Sequence, residues 1–454
     1  MAVRSASQFD PLEDLAGPLR VPAAERTYGR QFAQVYDYRL AVLRRRVLAS
    51  ATEAYGEKPP YVERILDIPP KQLCFVIGTV YANLKLKPDV LQEIAREQSI
   101  APQPVPTYVD PGHDELYIED QSGRVRIVGP KVASGTPLAA KCVTGAVIGV
   151  FGAETPDGDL EVADIALPGP PAPLPLEPAR VKEEGEAYIV LASGLQMGSA
   201  DAANDMHYDL LQEWLSGELG SASERADTAR ISSMVIAGNS VSKASWVPRE
   251  TSVMEKRQQP AALTHSPFAE LDPMLASLCA TLDAVVLMPG AQDPSSATLP
   301  QQPLLRGLFP RAAQWDNLHC LTNPAWLGLH NRTILSSSGQ NVDDLVKYLP
   351  EGNASPALQM ALATLQWSHV APTAPDTLWC YPFKSTDPFV VRAAPDLYVI
   401  GNQAKYETAT FEARTADGFP HTIRVVLVPE FATSHEVVLV NMATLEPRIV
   451  SFAA

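Results

Sequence analysis

A proline-rich run near the middle of the chain most constrains how it can fold. Residues 167–178 read LPGPPAPLPLEP. Proline lacks a backbone N–H and fixes φ, so such a run favours an extended connector over a helix or a central strand. A chain of 454 residues is long enough for about two or three domains. We therefore expect a domain boundary here and three segments: a helical segment at 1–65, a second segment with the connector at 66–180, and a third at 181–454.

The charge of the chain excludes one broad class of function. Lys and Arg total 36 and Asp and Glu total 52, which gives a formal net charge of −16. A protein whose whole surface binds nucleic acid carries the opposite balance, so we expect contact with DNA to be weak or made through a partner. The chain has no run of about 18 apolar residues and no apolar stretch near its start. We expect neither a membrane anchor nor a secretory signal.

The five cysteines are scattered, and no two of them form a CxxC pair. Disulfide frameworks and structural zinc sites both need patterned cysteines. We therefore expect a reducing compartment, the cytosol or the nucleus. The cysteines are Cys74, Cys142, Cys279, Cys320 and Cys380.

Apolar residues at three- and four-residue spacing predict an amphipathic helix in the first segment. They run from Phe32 to Val47, and Arg44, Arg45 and Arg46 lie near the C-terminal end, where cations suit the helix dipole. Two interpretations of the arginine run stay open. A solvated or partner-facing helix end is favoured over a phosphate-binding patch.

The second segment reads as five short strands with glycines at the bends and one helical insertion at 88–98. This pattern is typical of an all-β Greek-key barrel of the OB type. Its strand aromatics favour core packing over base stacking, because the segment carries 9 basic and 15 acidic residues. A weak contact with single strands through Lys85, Lys87, Arg124 and Arg126 stays open. The predicted strands are 73–81, 115–119, 124–128, 143–151 and 160–165, and the aromatics are Phe75, Tyr81, Tyr117 and Phe151.

The third segment alternates short apolar runs with helical patterns, which predicts a layered α/β domain. The predicted strands are 188–192, 233–237, 284–288, 397–400, 423–428 and 437–440, and the predicted helices are 206–215, 268–282 and 356–367.

Four of these strands are followed by loops of small residues, at the edge of the sheet where α/β sites form. The loops read SGLQMGS at 193–199, GNS at 238–240, PGAQDP at 289–294 and GNQAK at 401–405. Small residues let the backbone turn tightly, as the loops of a hydrolytic metal centre do.

The four loops resemble the metal-binding motifs of the calcineurin-like metallophosphoesterases, SDxHxG, GD, GNHD and GHxH. The resemblance implies an α/β sandwich in which the metal ligands have been replaced. The Asp and His of the first motif fall on Gly194 and Gln196, and the Asp of the second falls on Asn239. The Asn and His of the third fall on Ala291 and Gln292, while Asp293 keeps an outer position. The two His of the last fall on Asn402 and Ala404.

A two-metal phosphodiesterase needs His and carboxylate ligands to hold its ions and activate water. Gly and Ala supply no ligand atom, and Asn and Gln are weak neutral donors. We therefore expect no catalytic residues, no bound metal and no cofactor. A metal-dependent phosphodiesterase or nuclease is the disfavoured alternative. His369 is a candidate remnant of a further motif, although a lone His favours a packed or hydrogen-bonded role.

An OB barrel followed by an inactivated phosphoesterase domain resembles the B-subunits of the eukaryotic replicative DNA polymerases, and within them the small second subunit of the delta type. The strings that carry the resemblance are DELYIED at 114–120, VTGAVIGVFG at 143–152, MPGAQDPSSATLPQQPL at 288–304, SSGQNVDDL at 337–345 and PTAPDTLWCYPFKSTDPF at 372–389. The resemblance spans about 28–452. It implies a non-catalytic accessory subunit in the nucleus that acts in DNA replication and repair.

The family also implies the partners. The cysteine-rich C-terminal module of the catalytic subunit docks on such a protein, and a third subunit that contacts the sliding clamp docks on its other face. Whether a translesion polymerase is a further partner stays open. Docking of this kind uses aromatic anchors, for which the candidates are Trp246, Trp315, Trp326, Trp379, Tyr381 and Phe383.

Overall fold

The computed structural model describes residues 8–56, 59–88, 105–174, 187–198, 205–242, 267–414 and 418–452. The helix predicted at 88–98 lies outside these residues, apart from its first position. Within the described part of the chain, no helix is long and apolar enough to cross a membrane.

The first segment contains β1 (Phe9–Asp10), α1 (Glu13–Ala16) and the long helix α2 (Ala33–Tyr55). The prediction of an amphipathic helix is confirmed, because Leu40, Leu43 and Val47 of α2 are buried in one cluster. The helix ends at Gly56, whose positive φ of 72° suits glycine and whose N–H donates to the carbonyl of Thr52.

The second segment forms a closed barrel, as an OB fold requires. Its strands pair in the order β2-β3-β4-β5-β7-β6, and an additional pairing of β3 with β6 closes the sheet. All five predicted strands are confirmed. The fourth begins at Val147 instead of 143, because Gly145 turns the chain with a φ of 84°. The strands are β2 (Tyr61–Val62), β3 (Leu73–Asn83), β4 (Glu115–Glu119), β5 (Arg124–Val128), β6 (Val147–Glu154) and β7 (Leu160–Ala166).

The third segment contains eleven strands and six α-helices among the described residues. The strands are β8 (Tyr188–Ala192), β9 (Ile231–Ala237), β10 (Ala284–Met288), β11 (Leu318–Cys320), β12 (Ala325–Leu329), β13 (Arg332–Ser337), β14 (Leu397–Gln403), β15 (Glu407–Arg414), β16 (Pro420–Pro429), β17 (Glu436–Asn441) and β18 (Pro447–Ser451). The helices are α3 (Asp205–Ser216), α4 (Ala222–Thr228), α5 (Pro267–Thr281), α6 (Gln340–Val346), α7 (Pro356–Gln366) and α8 (Phe431–Ser434). Every strand and helix predicted here is confirmed, and β11, β12, β13, β15 and β18 were not predicted. Strand β14 runs to Gln403 instead of 400, so the first three residues of the loop predicted at 401–405 belong to the strand.

These strands, together with β1 of the first segment, form two six-stranded sheets packed face to face. One has the order β1-β12-β13-β14-β16-β15 and the other β11-β10-β9-β8-β17-β18. Inner-face residues such as Val235, Val286 and Val399 form a shared core between the sheets. Leu211 of α3 and Leu275 of α5 cover the outer face of the second sheet, and α6 and α7 cover that of the first. The result is a mixed α/β sandwich with helices outside.

Helix α2 joins the barrel to this sandwich. Arg39 donates to the carbonyl of Gly145 in the barrel and to those of Pro372 and Ala374 in the sandwich. Arg46 donates to the carbonyl of Val391 at 2.7 Å.

The expectation of a solvated or partner-facing arginine run is therefore wrong for two of its three members. Besides the contact of Arg46, Arg44 lies 3.9 Å from Asp120 of the barrel. Only Arg45 is exposed. A helix packed between two domains buries more than one face, and local spacing does not show this.

Candidate functional site

The four small-residue loops meet at one edge of the sandwich. The N–H of Gly194, after β8, donates to the carbonyl of Gly238, after β9, at 2.9 Å. The N–H of Asn402, in β14, donates to Ser193 Oγ at 2.8 Å. Because the strands within each parallel set end side by side, Asn402 and Ser193, 209 positions apart in sequence, become hydrogen-bond partners. The structure brings together the predicted positions Gly194, Gln196, Asn239, Ala291, Gln292 and Asn402, while Ala404 lies exposed just beyond β14.

Glycines let the loops and sheets approach closely at this edge. A Cβ on Gly401 would lie 2.4 Å from the carbonyl oxygen of Ala237, on the facing sheet. A Cβ on Gly290 would lie 2.4 Å from the backbone N of Asn239. At Gly194, with a φ of 62°, a Cβ would lie 2.9 Å from Cβ of Glu430. The space that a larger side chain would need at these positions is filled by protein.

The amide side chains at this edge bond to the protein itself. Asn402 Nδ2 donates to the carbonyls of Ala237 at 3.1 Å and Ser338 at 2.9 Å. Asn239 Oδ1 accepts from the N–H of Gln292 at 3.0 Å. Both Asn239 and Asn402 have a positive φ, a conformation that Asn tolerates better than most residues. These two amides tie neighbouring loops together.

A second amide network, which the sequence analysis missed, lies beside the first. Asn323 Nδ2 lies 2.8 Å from Gln301 Oε1 and 2.8 Å from Gln340 Oε1, and Gln301 Nε2 donates to the carbonyl of Gly290 at 3.0 Å. Two of the three amide residues, Gln301 and Gln340, lie inside the strings at 288–304 and 337–345 that carried the family resemblance. Those strings were the available signal, because they are long and rich in amides.

Asp293 is buried at the centre of this edge. One carboxylate oxygen accepts from the N–H of Val241 at 3.0 Å and the other from that of Gly290 at 2.8 Å. Burial raises the pKa of Asp293 to about 7, although backbone donors act to lower it. Both oxygens are engaged by the loops after β9 and β10, so the side chain holds those two loops in place.

Two further carboxylates lie near the amides. Asp343 Oδ1 accepts from Gln403 Nε2 at 3.2 Å, and Glu430 Oε2 accepts from Gln196 Nε2 at 3.3 Å. Burial raises the pKa of Asp343 to about 6 and also raises that of Glu430. Among the described residues, no group of three or more His, Cys, Asp or Glu side chains could hold a metal ion. The four loops offer amides and backbone groups that are largely bonded to one another.

His369 lies away from these loops, fully buried in a cluster with Asp387 and Arg39. Its Nε2 lies 2.9 Å from Asp387 Oδ2, and its Nδ1 accepts from the N–H of Ala371 at 3.2 Å. The ring therefore carries its proton on Nε2. Burial, with nearby Arg39, lowers the pKa of His369 to about 4. Burial acts to raise the pKa of Asp387, but Arg39 and His369 hold it well below its usual range.

Some of the candidate aromatic anchors are exposed to solvent and others are buried. Trp315 and Trp379 are exposed, whereas Trp326, Tyr381 and Phe383 are buried, and Trp246 lies outside the described residues. Among the barrel aromatics, Phe75 and Phe151 are buried and stack with centroids 4.4 Å apart. The preference for core packing is wrong for Tyr81 and Tyr117, which lie partly exposed on the outer surface.

Comparison with known proteins matches both halves of the chain. A family described as the DNA polymerase delta subunit OB-fold domain matches residues 31–165. A family described as the alpha/epsilon B-subunit of DNA polymerase matches residues 189–409. The first match covers the barrel with helix α2, and the second covers most of the sandwich, including all four loops.

Similar proteins align over nearly the whole length. A DNA polymerase delta small subunit from Arabidopsis thaliana is 35% identical over 94% of this chain and 92% of its own. One from Oryza sativa subsp. japonica is 36% identical over 94% of each. The DNA polymerase delta small subunit of Saccharomyces cerevisiae is 31% identical over 97% of this chain and 93% of its own. The chain belongs to the family of DNA polymerase delta small subunits.

Proposed function

We propose that this chain is a non-catalytic accessory subunit of a nuclear DNA polymerase delta complex. Membership of the small-subunit family supports the role in replication. The non-catalytic role is supported by what occupies the positions of the motif's ligands. Gly194, at the position of an Asp, has no side chain, and a Cβ there would lie 2.9 Å from that of Glu430. Asn402, at the position of a His, bonds to the carbonyls of Ala237 and Ser338.

We further propose that the sandwich is an inactivated calcineurin-like phosphoesterase domain. Two facing sheets with outer helices support this proposal, as do the loops after β8, β9 and β10, which converge with the C-terminal end of β14. The ligand positions of such a domain would then be Gly194, Gln196, Asn239, Ala291, Gln292, Asn402 and Ala404. We place the domain boundaries near residues 65 and 180, although β2 pairs with the barrel strand β3 and β1 with the sandwich strand β12.

The partners in this proposal are the catalytic subunit, through its cysteine-rich module, and a third subunit that contacts the sliding clamp. Docking buries apolar surface, about 800 Å² on each side in a standard interface. Exposed Leu305, Trp315 and Trp379 supply such surface on the sandwich. The chain would then act by holding two other subunits together.

The isolated chain is expected to show neither DNA polymerase nor phosphodiesterase activity. The measurement is hydrolysis of bis(p-nitrophenyl) phosphate with Mn²⁺, together with extension of a primed template, because the four loops lack the ligands that a two-metal reaction needs. An active calcineurin-like phosphodiesterase is the positive control. Hydrolysis that disappears in a folded Asp343→Asn or Glu430→Gln variant would show a working site and contradict the proposal. Hydrolysis that survives both variants would point to a contaminant.

A further inference from the structure

One part of the outer barrel surface is left open by helix α2. The helix packs on Phe75, Ile77 and Phe151, and side chains on a strand alternate between faces, so Tyr81 continues the face of Phe75 and Ile77 along β3. Tyr81 stands directly opposite Tyr117 of β4 in the strand register. Their ring centroids are 6.3 Å apart, and both rings are only partly buried.

Cations lie over and beside these two rings. Cζ of Arg124 lies 4.2 Å from the ring centroid of Tyr81 and 5.7 Å from that of Tyr117. Lys87 Nζ lies 5.7 Å from the centroid of Tyr81, and Arg126 pairs with Tyr117 in the strand register. The side chains of Arg124 and Arg126 are 47% and 43% exposed. We call Tyr81, Lys87, Tyr117, Arg124 and Arg126 the platform.

Each cation of the platform pairs with a carboxylate, and Arg124 and Arg126 stay about half exposed whereas Lys87 is largely buried. Glu119 Oε2 accepts from Arg124 Nε at 2.8 Å, Glu115 lies 3.6 Å from Arg126, and Asp376 lies 2.7 Å from Lys87. These pairs bring the local charge close to zero, so long-range attraction of phosphates is weak. Stacking on flat groups is then the main favourable term available at this surface.

We propose that the platform binds adjacent bases of a single-stranded nucleic acid. The bases stack on Tyr117 and on the exposed face of the Arg124 guanidinium, while Arg126 contacts a flanking phosphate. Aromatic rings and arginine planes both receive unpaired bases. Tyr117 lies on the second of the five predicted barrel strands and Arg124 and Arg126 on the third, the surface on which OB folds bind oligonucleotides, and Tyr81 lies beside them on the first. This direct, weak contact goes beyond the scaffold role and does not depend on it.

The test uses the full chain and a fluorescein-labelled oligothymidylate about 12 nucleotides long. Anisotropy is expected to show weak binding, and the slope of log K against log[salt] is expected to be about −0.7, the value for one phosphate contact on a single strand. Tyr117→Leu should weaken binding about tenfold through the loss of one stacked base. Tyr28→Leu is the control, because Tyr28 is exposed outside the barrel, and it should bind like the parent chain. Ultraviolet cross-linking of a bromodeoxyuridine-substituted oligomer should label the peptides of Tyr81 or Tyr117.

Three outcomes would overturn the proposal. The first is unchanged affinity in a folded Tyr117→Leu chain, or in Arg124→Gln if the tyrosine variant does not fold. The second is cross-linking confined to peptides outside the platform, or no binding at millimolar protein concentration. The third is the first outcome combined with loss of binding to the catalytic subunit in Tyr117→Leu. This combination would assign the platform to a protein partner.

Discussion

Replacing Arg39 with methionine is expected to lower the free energy of unfolding by about 3–5 kcal/mol, the usual cost of removing one member of a buried ion pair. Arg39 is fully buried, and its Nε donates to Asp387 Oδ2 at 2.7 Å. Its other nitrogens donate to the carbonyls of Gly145, Pro372 and Ala374. Methionine keeps an unbranched apolar stem, is shorter than arginine and removes all of these donors.

Most of the expected loss of stability comes from the Asp387 carboxylate, which stays buried without its arginine partner. Without Arg39, Asp387 would keep one side-chain donor, His369, and a buried charge with too few donors is costly. The double variant Arg39→Met with Asp387→Asn should therefore lose less stability than the sum of the two single variants. Replacing Arg39 alone would also weaken the contact between the barrel and the sandwich, because Arg39 hydrogen-bonds to both.

Urea unfolding followed by tryptophan fluorescence measures the effect. Arg45→Met is the matched control, since Arg45 lies on the same helix and is exposed, and exposed substitutions usually change stability by less than about 0.5 kcal/mol. A loss below about 1 kcal/mol in Arg39→Met would show that α2 does not hold the two domains together in this way.

The substitution Gly401→Ala, which adds one methyl group, is expected to lower the free energy of unfolding by about 3 kcal/mol. This value lies at the upper end of the usual cost of overpacking. The new Cβ would lie 2.4 Å from the carbonyl oxygen of Ala237 and 2.9 Å from its Cβ. Both residues lie in buried strands, β14 and β9, of facing sheets. Backbone in such strands cannot move aside cheaply, so the sheets would have to separate at the edge where the four loops meet.

Gly307→Ala is the control for Gly401→Ala. No atom lies within 4 Å of the position of a Cβ on Gly307, so the same change in composition should leave the thermal midpoint nearly unchanged. Equal midpoints for the two variants would mean that the sheets are not in close contact at Gly401, and that the loops retain room for larger side chains.

Local patterns of apolar residues in the sequence were enough to predict most of the secondary structure. Leu40, Leu43 and Val47 share one face of α2 because their spacing follows the helical period, and the apolar runs at 188–192 and 284–288 are buried strands. Among the strands that were missed, β11, β15 and β18 lie at sheet edges and β13 is partly polar, whereas β12 is an apolar, buried run as long as β8. Strand β1 pairs with β12 more than 300 positions away in sequence, a partner that no local pattern specifies.

The candidate site was only partly predictable for the same reason. The family resemblance located the loops and named Asn239 and Asn402, but the sequence did not show which carbonyls these amides would bond to. Asn323 and Gln301 were missed because their partners come from other loops. The role of Arg39 was also missed, since an arginine within a helix pattern gives no sign that it will be fully buried.

The measurement that tests the central claim most directly is co-expression of this chain with the cysteine-rich C-terminal module of a delta-type catalytic subunit. Size-exclusion chromatography with light scattering gives the mass of the product. The scaffold role predicts a stable one-to-one complex. Comparing Trp379→Ser with Trp315→Ser shows which of these exposed tryptophans contributes to binding of the module. A folded chain that elutes alone, with the module also folded and separate, would contradict the claim.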